Sequence, residues 1–353
     1  MPSQKNKDFY QLFAEARFQK EKDLPFVIYQ RPNELLVKAI LPNTSNLVHA
    51  SDFFESGFVF APFDSKEKAI LLFSKKILQA DYEITPVVQN QIIGSTDNGK
   101  EFHLDLVNKA MASIKNGALK KVVVSRKLIS ETKKDAFKLF EALLNYYPEA
   151  FKYLWYHPKA GMWLGATPET LLKIDGAVLT TTSLAGTLPV QSNQAPQWSS
   201  KEVEEQQLVT DYIVDALSDK LIDINVTEPT SVKAGKLWHL KSLITGSLPK
   251  ELGLNSIIDA LHPTPAVCGM PKIAAKEFLI ANENYDREFY TGFLGELNLG
   301  VSRKTHLCVN LRSMKLEDTK ASIFIGGGIT EESNAESEWM ETQHKSKTML
   351  SLL

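Results

Sequence analysis

Short apolar or alternating runs recur along the whole chain, and their arrangement constrains the fold more than any other feature of the sequence. Each run has the length and the β-branched or aromatic content of a strand. The runs lie at 26–30, 34–41, 57–63, 68–73, 121–126, 161–166 and 306–312. Helical patterns lie at 101–116, 135–145, 199–222, 271–282 and 334–353, without regular strand–helix alternation. The sequence therefore predicts an α+β protein with large antiparallel sheets flanked by helices, rather than a doubly wound parallel sheet.

A few residues mark boundaries between these elements. Gly117 is well placed to end the first predicted helix, and Asn334 is a suitable N-cap for the last. The most loop-like stretch, 188–199, is expected to be a surface excursion. No repeat or low-complexity linker divides the chain, so we expect one domain over residues 1–353.

Composition excludes several classes of protein. The 353 residues carry 40 Lys and Arg against 42 Asp and Glu, and this balance argues against a nucleic-acid or membrane-surface protein. Two cysteines are too few for a disulfide framework or a thiolate metal cage, which favours a reducing cytoplasm. The N-terminus has no apolar signal core, and no run approaches ~18 apolar residues, so neither secretion nor a membrane span is expected.

Lys121 opens a strand-like run in which valines lie on both faces, so the sheet there should be covered on both sides. It shares a face with Val123 and Ser125 and is drawn toward the interior. Desolvation lowers the pKa of a buried amine, and a neutral lysine can act as a general base. The alternative is a lysine that extends from the strand end to solvent.

Glu169 follows Pro168 in a turn between two strand-like runs. A glutamate half-buried among apolar neighbours has a raised pKa and can deliver a proton near neutrality. An exposed turn carboxylate is the alternative.

Two helices carry carboxylates in inward-facing registers. Glu205 lies one turn before Leu208 and Val209, whereas Glu341 lies in a stripe that runs from Glu338 through Lys345 to apolar residues. Two carboxylates from separate helices could hold Mg²⁺, which takes one or two protein carboxylates plus water and substrate oxygens. The alternatives are a solvated first turn for the acidic cluster and an exposed i,i+4 ion pair on the last helix.

The run 323–329 is a strand that leads into three glycines. Glycines there could bring bare backbone N–H groups against an anion. A glycine-rich hairpin or bulge is the alternative.

Ten blocks of the chain, taken in order, closely resemble the chorismate-utilising enzymes, and in particular the isochorismate synthases among them. The resemblance extends from residue 106 to residue 353, whereas residues 1–100 carry no assignable motif and form the family-variable part. The blocks are KKVVVSR (120–126), GATPETLL (165–172), SLAGT (183–187), KEVEEQQLV (201–209), LWHL (237–240), LHPTPAVCG (261–269), YDREFYTGFLG (285–295), NLRSMKL (310–316), IFIGGGI (323–329) and EWMETQHKSKTML (338–350).

The resemblance implies a role for each acidic or basic residue selected above. Lys121 would activate water, and Glu169 would protonate the departing hydroxyl. Glu205 and Glu341 would bind Mg²⁺, with Glu338 close by in the same shell.

It also implies a substrate-binding set. The carboxylates of chorismate would meet Arg312, Lys345 and the backbone near Gly326, while Gly186 would line the ring. Ala266 would face the substrate where salicylate and anthranilate synthases, which eliminate pyruvate, tend to carry threonine.

Other variable positions favour isomerisation over the related reactions. Aminodeoxychorismate synthases commonly carry a lysine nucleophile where this chain has Ala185, and anthranilate synthases generally lack a lysine where this chain has Lys121. Gln206 departs from the resemblance, because many relatives have a histidine directly after the metal-binding glutamate.

The resemblance therefore implies a single chorismate-binding catalytic domain that converts chorismate to isochorismate. The alternatives are a salicylate synthase and a non-catalytic anion-binding protein on the same scaffold. We expect a cytoplasmic monomer or weak homo-oligomer without an obligatory glutamine amidotransferase subunit, in a menaquinone or siderophore pathway.

Overall fold

The computed structural model describes residues 4–74, 77–85, 99–190, 195–234 and 237–353, which form seven helices and eighteen strands. The helices are α1 (Gln4–Glu21), α2 (Lys100–Lys115), α3 (Ala136–Tyr146), α4 (Ser200–Leu217), α5 (Leu254–Leu261), α6 (Lys272–Asn282) and α7 (Ala335–Leu350). The strands are β1 (Phe26–Gln30), β2 (Leu36–Ile40), β3 (Gly57–Ala61), β4 (Ile70–Leu72), β5 (Ile77–Asp81), β6 (Lys121–Glu131), β7 (Phe151–His157), β8 (Gly161–Thr167), β9 (Thr170–Asp175), β10 (Val178–Pro189), β11 (Ile222–Val226), β12 (Thr230–Ala234), β13 (Leu237–Ser247), β14 (Gly269–Met270), β15 (Phe293–Leu299), β16 (Lys304–Val309), β17 (Ser313–Glu317) and β18 (Lys320–Ile329).

The strands form two nine-stranded sheets. The first has the order β14-β6-β18-β17-β8-β7-β1-β2-β5, and the second has the order β11-β13-β10-β9-β16-β15-β3-β4, with β12 also paired to β13. Every pair among the described strands is antiparallel. The prediction of an α+β fold with large antiparallel sheets is confirmed.

The two sheets pack face to face through an aromatic layer. Phe60 of the second sheet meets Trp155 of the first edge to face, with ring centroids 5.0 Å apart. The outer face of the first sheet is covered by α1 and α3, and that of the second by α4 and α5. This makes four layers, and the part of the chain before residue 86 supplies strands to both sheets.

Two chain crossings between the sheets lie side by side. Pro168 and Glu169 join β8 of the first sheet to β9 of the second, and residues 310–312 join β16 of the second sheet to β17 of the first. The backbone N–H of Val309 donates to the carbonyl of Glu169 at 3.0 Å, and that of Ala166 donates to the carbonyl of Arg312 at 3.1 Å. These hydrogen bonds hold Glu169 and Arg312 at one junction of the two sheets.

The predicted caps are confirmed, whereas several bounds differ. Gly117 has a φ of 77° just after the α2 C-cap, and the Asn334 side chain accepts from the backbone N–H of Ser337 at 3.1 Å. Helix α4 ends at Leu217 rather than at 222, and the strand predicted at 306–312 ends at Val309. The predicted 188–199 loop begins inside β10, and its residues 191–194 lie outside the described ranges.

Helices α1 and α5 were not predicted. In α1 the buried residues Phe9, Leu12, Phe13 and Ala16 have helical spacing and pack on the first sheet. Within the described ranges, no helix has both the length and the apolar character required to span a bilayer.

Candidate active site

Lys121 begins β6, one strand in from the edge of the first sheet, where it pairs with Met270 of β14. Its neighbours Val122 and Val124 pack into a core formed with α2 and α6 on the opposite face. Lys121 is 8% exposed. The prediction that it faces the interior is confirmed, because β6 is covered on both faces.

The amine of Lys121 meets a carboxylate from the other half of the molecule. Its Nζ donates to Oε1 of Glu205 at 2.9 Å, and Glu205 stands on α4, which packs against β10 and β13 of the second sheet. This ion pair therefore joins the two sheets and their helices at the candidate site.

The predicted inward register of α4 is partly wrong. Leu208 is 51% exposed, and the buried side of the helix runs instead through Gln206, Val209 and Ile213. Glu205 lies at the edge of this buried side, half-buried. From this position the Glu205 carboxylate reaches Lys121, and the carboxylate itself remains accessible to water.

Glu169 lies at the β8–β9 crossing. Its backbone N–H donates to the Thr167 hydroxyl at 3.3 Å, while that hydroxyl donates to the carbonyl of Val309. Burial raises the pKa of Glu169 from 4.5 to about 7, against the opposing effect of the nearby Lys121 ammonium. The predicted acid is thus half-buried and close enough to Lys121 for their charges to interact.

The raised pKa of Glu169 has a consequence for stability. As pH rises from 4.5 to 7, the unfolded chain releases this proton before the folded protein does, so wild-type stability falls in that interval. Glutamine has no proton to release. We therefore expect Glu169→Gln to stabilise the fold by about 1–3 kcal/mol at pH 8 and to have little effect at pH 4. Urea unfolding of both proteins at the two pH values measures this difference, and an equal difference at both values would contradict it.

Three glycines of β18 create space for polar groups. Gly326, Gly327 and Gly328 pair regularly with β6, so the hairpin or bulge alternative is wrong. A Cβ at Gly326 would lie 2.9 Å from the Tyr290 hydroxyl. One at Gly327 would lie 3.4 Å from Glu338 Oε2, and one at Gly328 would lie 3.2 Å from Lys121 Cε. A side chain at Gly326 or Gly328 would push on these groups, whereas at Gly327 the distance is that of an ordinary van der Waals contact.

Arg312 and Lys345 of α7 supply the positive charge of the candidate site. Arg312 adopts a left-handed φ of 48° at the second crossing, and no described residue accepts a hydrogen bond from its guanidinium. Burial lowers the pKa of Arg312, while Tyr290 and Glu341 partly offset the effect. Lys345 of α7 bonds Glu341 at 2.5 Å and donates to the carbonyl of Gly326 at 3.0 Å.

His239 is a site residue that the sequence analysis left without a role, although it stands in the LWHL block. Its Nδ1 lies 3.0 Å from the carbonyl of Gly186, and burial lowers its pKa. The charges of Arg312, Lys345 and Glu205 also act on this ring, so it lies close to all three residues. The sequence signal was a histidine flanked by apolar residues in the LWHL block.

The two remaining predicted substrate residues, Gly186 and Ala266, lie at a strand bulge and in a loop. Gly186 sits at a bulge of β10 with a φ of 70°, and a Cβ there would come within 3.2 Å of Glu202. Ala266 is half-buried in the α5–β14 loop, before the Met270 that pairs with Lys121. Its contact with a substrate stays a prediction.

The donor set fits a hard cation. Among the described residues there is no group of three or more His, Cys, Asp or Glu that could bind a metal ion. Glu205 and Glu341 supply oxygen only, and each is paired with a lysine. Magnesium needs one or two such carboxylates when water and substrate complete its shell, so the residues present suit it.

Known proteins share much of this chain's sequence and fold. The family model described as chorismate binding enzyme matches residues 58–353. Isochorismate synthase MenF of Pasteurella multocida is 31% identical over 261 residues, which are 70% of this chain and 60% of the relative, so the chain spans about 60% of that protein's length. Isochorismate synthase DhbC of Bacillus subtilis is 29% identical over 319 residues, 82% of this chain and 78% of the relative.

The solved structure of MenF, the menaquinone-specific isochorismate synthase from Escherichia coli, superposes with a TM-score of 0.78 at 22% identity. It covers 93% of this chain and 88% of that one, which establishes a shared fold. Because the family model covers well over half of the sequence, the chain belongs to the chorismate-binding enzymes.

Proposed function

We propose that this protein converts chorismate to isochorismate by adding water at C2 and releasing the C4 hydroxyl. The observation that carries the proposal is a buried amine, Lys121, close to a carboxyl, Glu169, whose pKa is raised to about 7. Lys121 comes from β6, and Glu169 comes from the crossing between the sheets. An acid and a base on two separate elements suit a reaction with proton transfers at two positions of one ring.

Lys121 is the proposed base. In its uncharged form it accepts a proton from the attacking water as the new C2–O bond forms and the ring double bonds shift. Its 2.9 Å contact with Glu205 positions the amine at the site. Glu205 would also serve as a cation ligand.

Glu169 is the proposed acid. With its pKa raised to about 7, a large fraction of this carboxyl is protonated at neutral pH. It donates that proton to the C4 oxygen as the C4–O bond breaks, and the hydroxyl leaves as water. One water enters and one leaves, so substrate and product are isomers.

Arg312 and Lys345 are the proposed anion-binding residues. The Arg312 guanidinium has no hydrogen-bonding partner among the described side chains and suits a bidentate bond to a carboxylate. Lys345 adds a second positive charge, and its Nζ donates to the carbonyl of Gly326 at 3.0 Å. Chorismate carries two carboxylates, which matches two cationic groups.

Glu205 and Glu341 would hold Mg²⁺, with Glu338 nearby. The ion would offset the charge of the ring carboxylate beside the enzyme's own glutamates. Chorismate conversion is therefore expected to require a divalent cation.

The pathway and cellular context also belong to this proposal. Isochorismate would feed menaquinone or siderophore synthesis in the cytoplasm, without an obligatory glutamine-hydrolysing subunit. Ala266 favours a reaction that stops at the isomer over one that proceeds to salicylate.

Product analysis tests the function. Incubation of the purified protein with chorismate and Mg²⁺, followed by chromatography, should yield isochorismate, and EDTA should abolish the conversion. Fluorescent salicylate as the main product would replace the proposal with a salicylate synthase. Chorismate binding in a calorimetric titration without any conversion would indicate an anion-binding protein.

A further inference from the structure

A polar cluster lies buried between α4 and the second sheet. The amide Nε2 of Gln206 lies within hydrogen-bonding distance of the hydroxyls of Ser183 at 2.8 Å, Thr210 at 3.0 Å and Ser242 at 3.0 Å, and its two N–H groups are shared among them. Ser183 and Ser242 face each other across the β10–β13 pair, and the Ser183 and Thr210 hydroxyls are 2.6 Å apart. All four residues are at most 5% exposed. The cluster thus ties one helix to two strands.

The apolar surroundings of the cluster fix the position of α4 on the second sheet. The rest of this interface is apolar, with Val209 and Ile213 of α4 and Ile244 of β13 buried. A hydroxyl or amide that lost its partner here would find no water to replace it. The helix can therefore rotate or slide on the sheet only by leaving several polar groups unpaired.

Gln206 directly follows Glu205, whose side chain projects about 100° away around the helix. A rotation of α4 by about 20° would move a carboxylate roughly 6 Å from the axis by about 2 Å. Such a shift would break the 2.9 Å contact between Glu205 and Lys121. The direction of Glu205 therefore depends on how Gln206 is held.

We infer that Gln206 is a positioning residue, which holds Glu205 at the cavity through its bonds to Ser183 and Ser242. This inference rests on the proposed function, in which Glu205 is a cation ligand. Loss of a residue that orients a metal ligand commonly lowers metal affinity by about 10- to 100-fold. Gln206 does not touch the substrate in this assignment.

The test is Gln206→Met, which keeps the length of the side chain and removes the amide. Calorimetric titration with Mg²⁺ alone should show about a 10- to 100-fold weaker affinity than the wild type. The Mg²⁺ concentration for half-maximal chorismate conversion should rise in parallel. Gln207→Met is the matched control, because Gln207 is exposed on the same helix and its side chain donates to exposed Asp211 at 2.7 Å.

Ile213→Val is the control that distinguishes a positioning role of Gln206 from a role in stability alone. This substitution loosens the same interface without changing a polar group. If the two variants lose similar melting temperature but only Gln206→Met loses Mg²⁺ affinity, the positioning role stands. If Gln206→Met does not fold, Ser242→Ala removes one acceptor and should weaken Mg²⁺ binding several-fold (about 3- to 10-fold).

The outcomes also separate this inference from the proposed function. Wild-type Mg²⁺ affinity in folded Gln206→Met, or in Ser242→Ala if Gln206→Met does not fold, overturns the inference even when the wild type makes isochorismate. Absence of Mg²⁺ binding by the wild type overturns the inference outright. A wild type that binds Mg²⁺ but converts no chorismate refutes the function, while the titrations still decide the role of Gln206.

Discussion

A Lys121→Met protein is expected to convert chorismate about 10²–10⁴-fold more slowly than the wild type. Methionine occupies a similar volume in the narrow space beside Gly328, but it cannot accept a proton from water. Because Glu205 remains half-exposed, the loss of its ion pair should have only a small effect on folding. Chromatography of the product at saturating Mg²⁺ measures the rate.

Lys120→Met provides the control for this substitution. Lys120 is the exposed neighbour, and its backbone hydrogen bond to Met270 is unaffected by the change. It should retain wild-type turnover. Wild-type turnover in Lys121→Met would remove Lys121 from the mechanism.

Glu169→Gln is expected to lower turnover by a similar factor, about 10²–10⁴. The amide preserves the shape of the side chain and its backbone bonds, but it has no acidic proton for the C4 oxygen. The KM for chorismate should change little, because Glu169 acts on the leaving group rather than on the carboxylates. Initial rates over a range of chorismate concentrations separate kcat from KM.

Glu131→Gln, at the exposed far end of β6, is the matched control and should behave like the wild type. The double variant Lys121→Met/Glu169→Gln should be little slower than either single variant, because the two residues act as a unit. Losses that multiply fully would indicate that the two groups act independently.

Local pattern was sufficient for part of the site. Valines on both faces of β6 predicted a covered strand, and Lys121 is buried as a result. Pro168 predicted a break between two strand-like runs, which in the structure is a crossing between the sheets rather than a turn. The Asn334 cap of α7 is the one expected from side-chain chemistry alone. These features depend on neighbours along the chain, which periodicity reports directly.

Other features could not be read from neighbours along the chain. The predicted stripe of α4 included Leu208, which is exposed, because the true buried side is centred on Gln206 and its hydroxyl partners from β10 and β13. An argument from helical periodicity counts glutamine as a polar residue and therefore assigns it to the exposed side of the helix. A hydrogen-bonded cluster reverses that assignment only when the partner strands are known.

By itself, the sequence determined the fold class, the family and the residue types available for acid–base and anion chemistry. It also predicted that Lys121 faces inward, since valines on both faces of one strand indicate a sheet covered on both sides. Only the tertiary structure decided that Glu169 and Arg312 meet at adjacent crossings of the two sheets and that Lys121 bonds Glu205 from the other half. The physical reason is that these contacts join residues far apart in the chain, and their distances depend on how two sheets and their helices pack, which no local periodicity encodes.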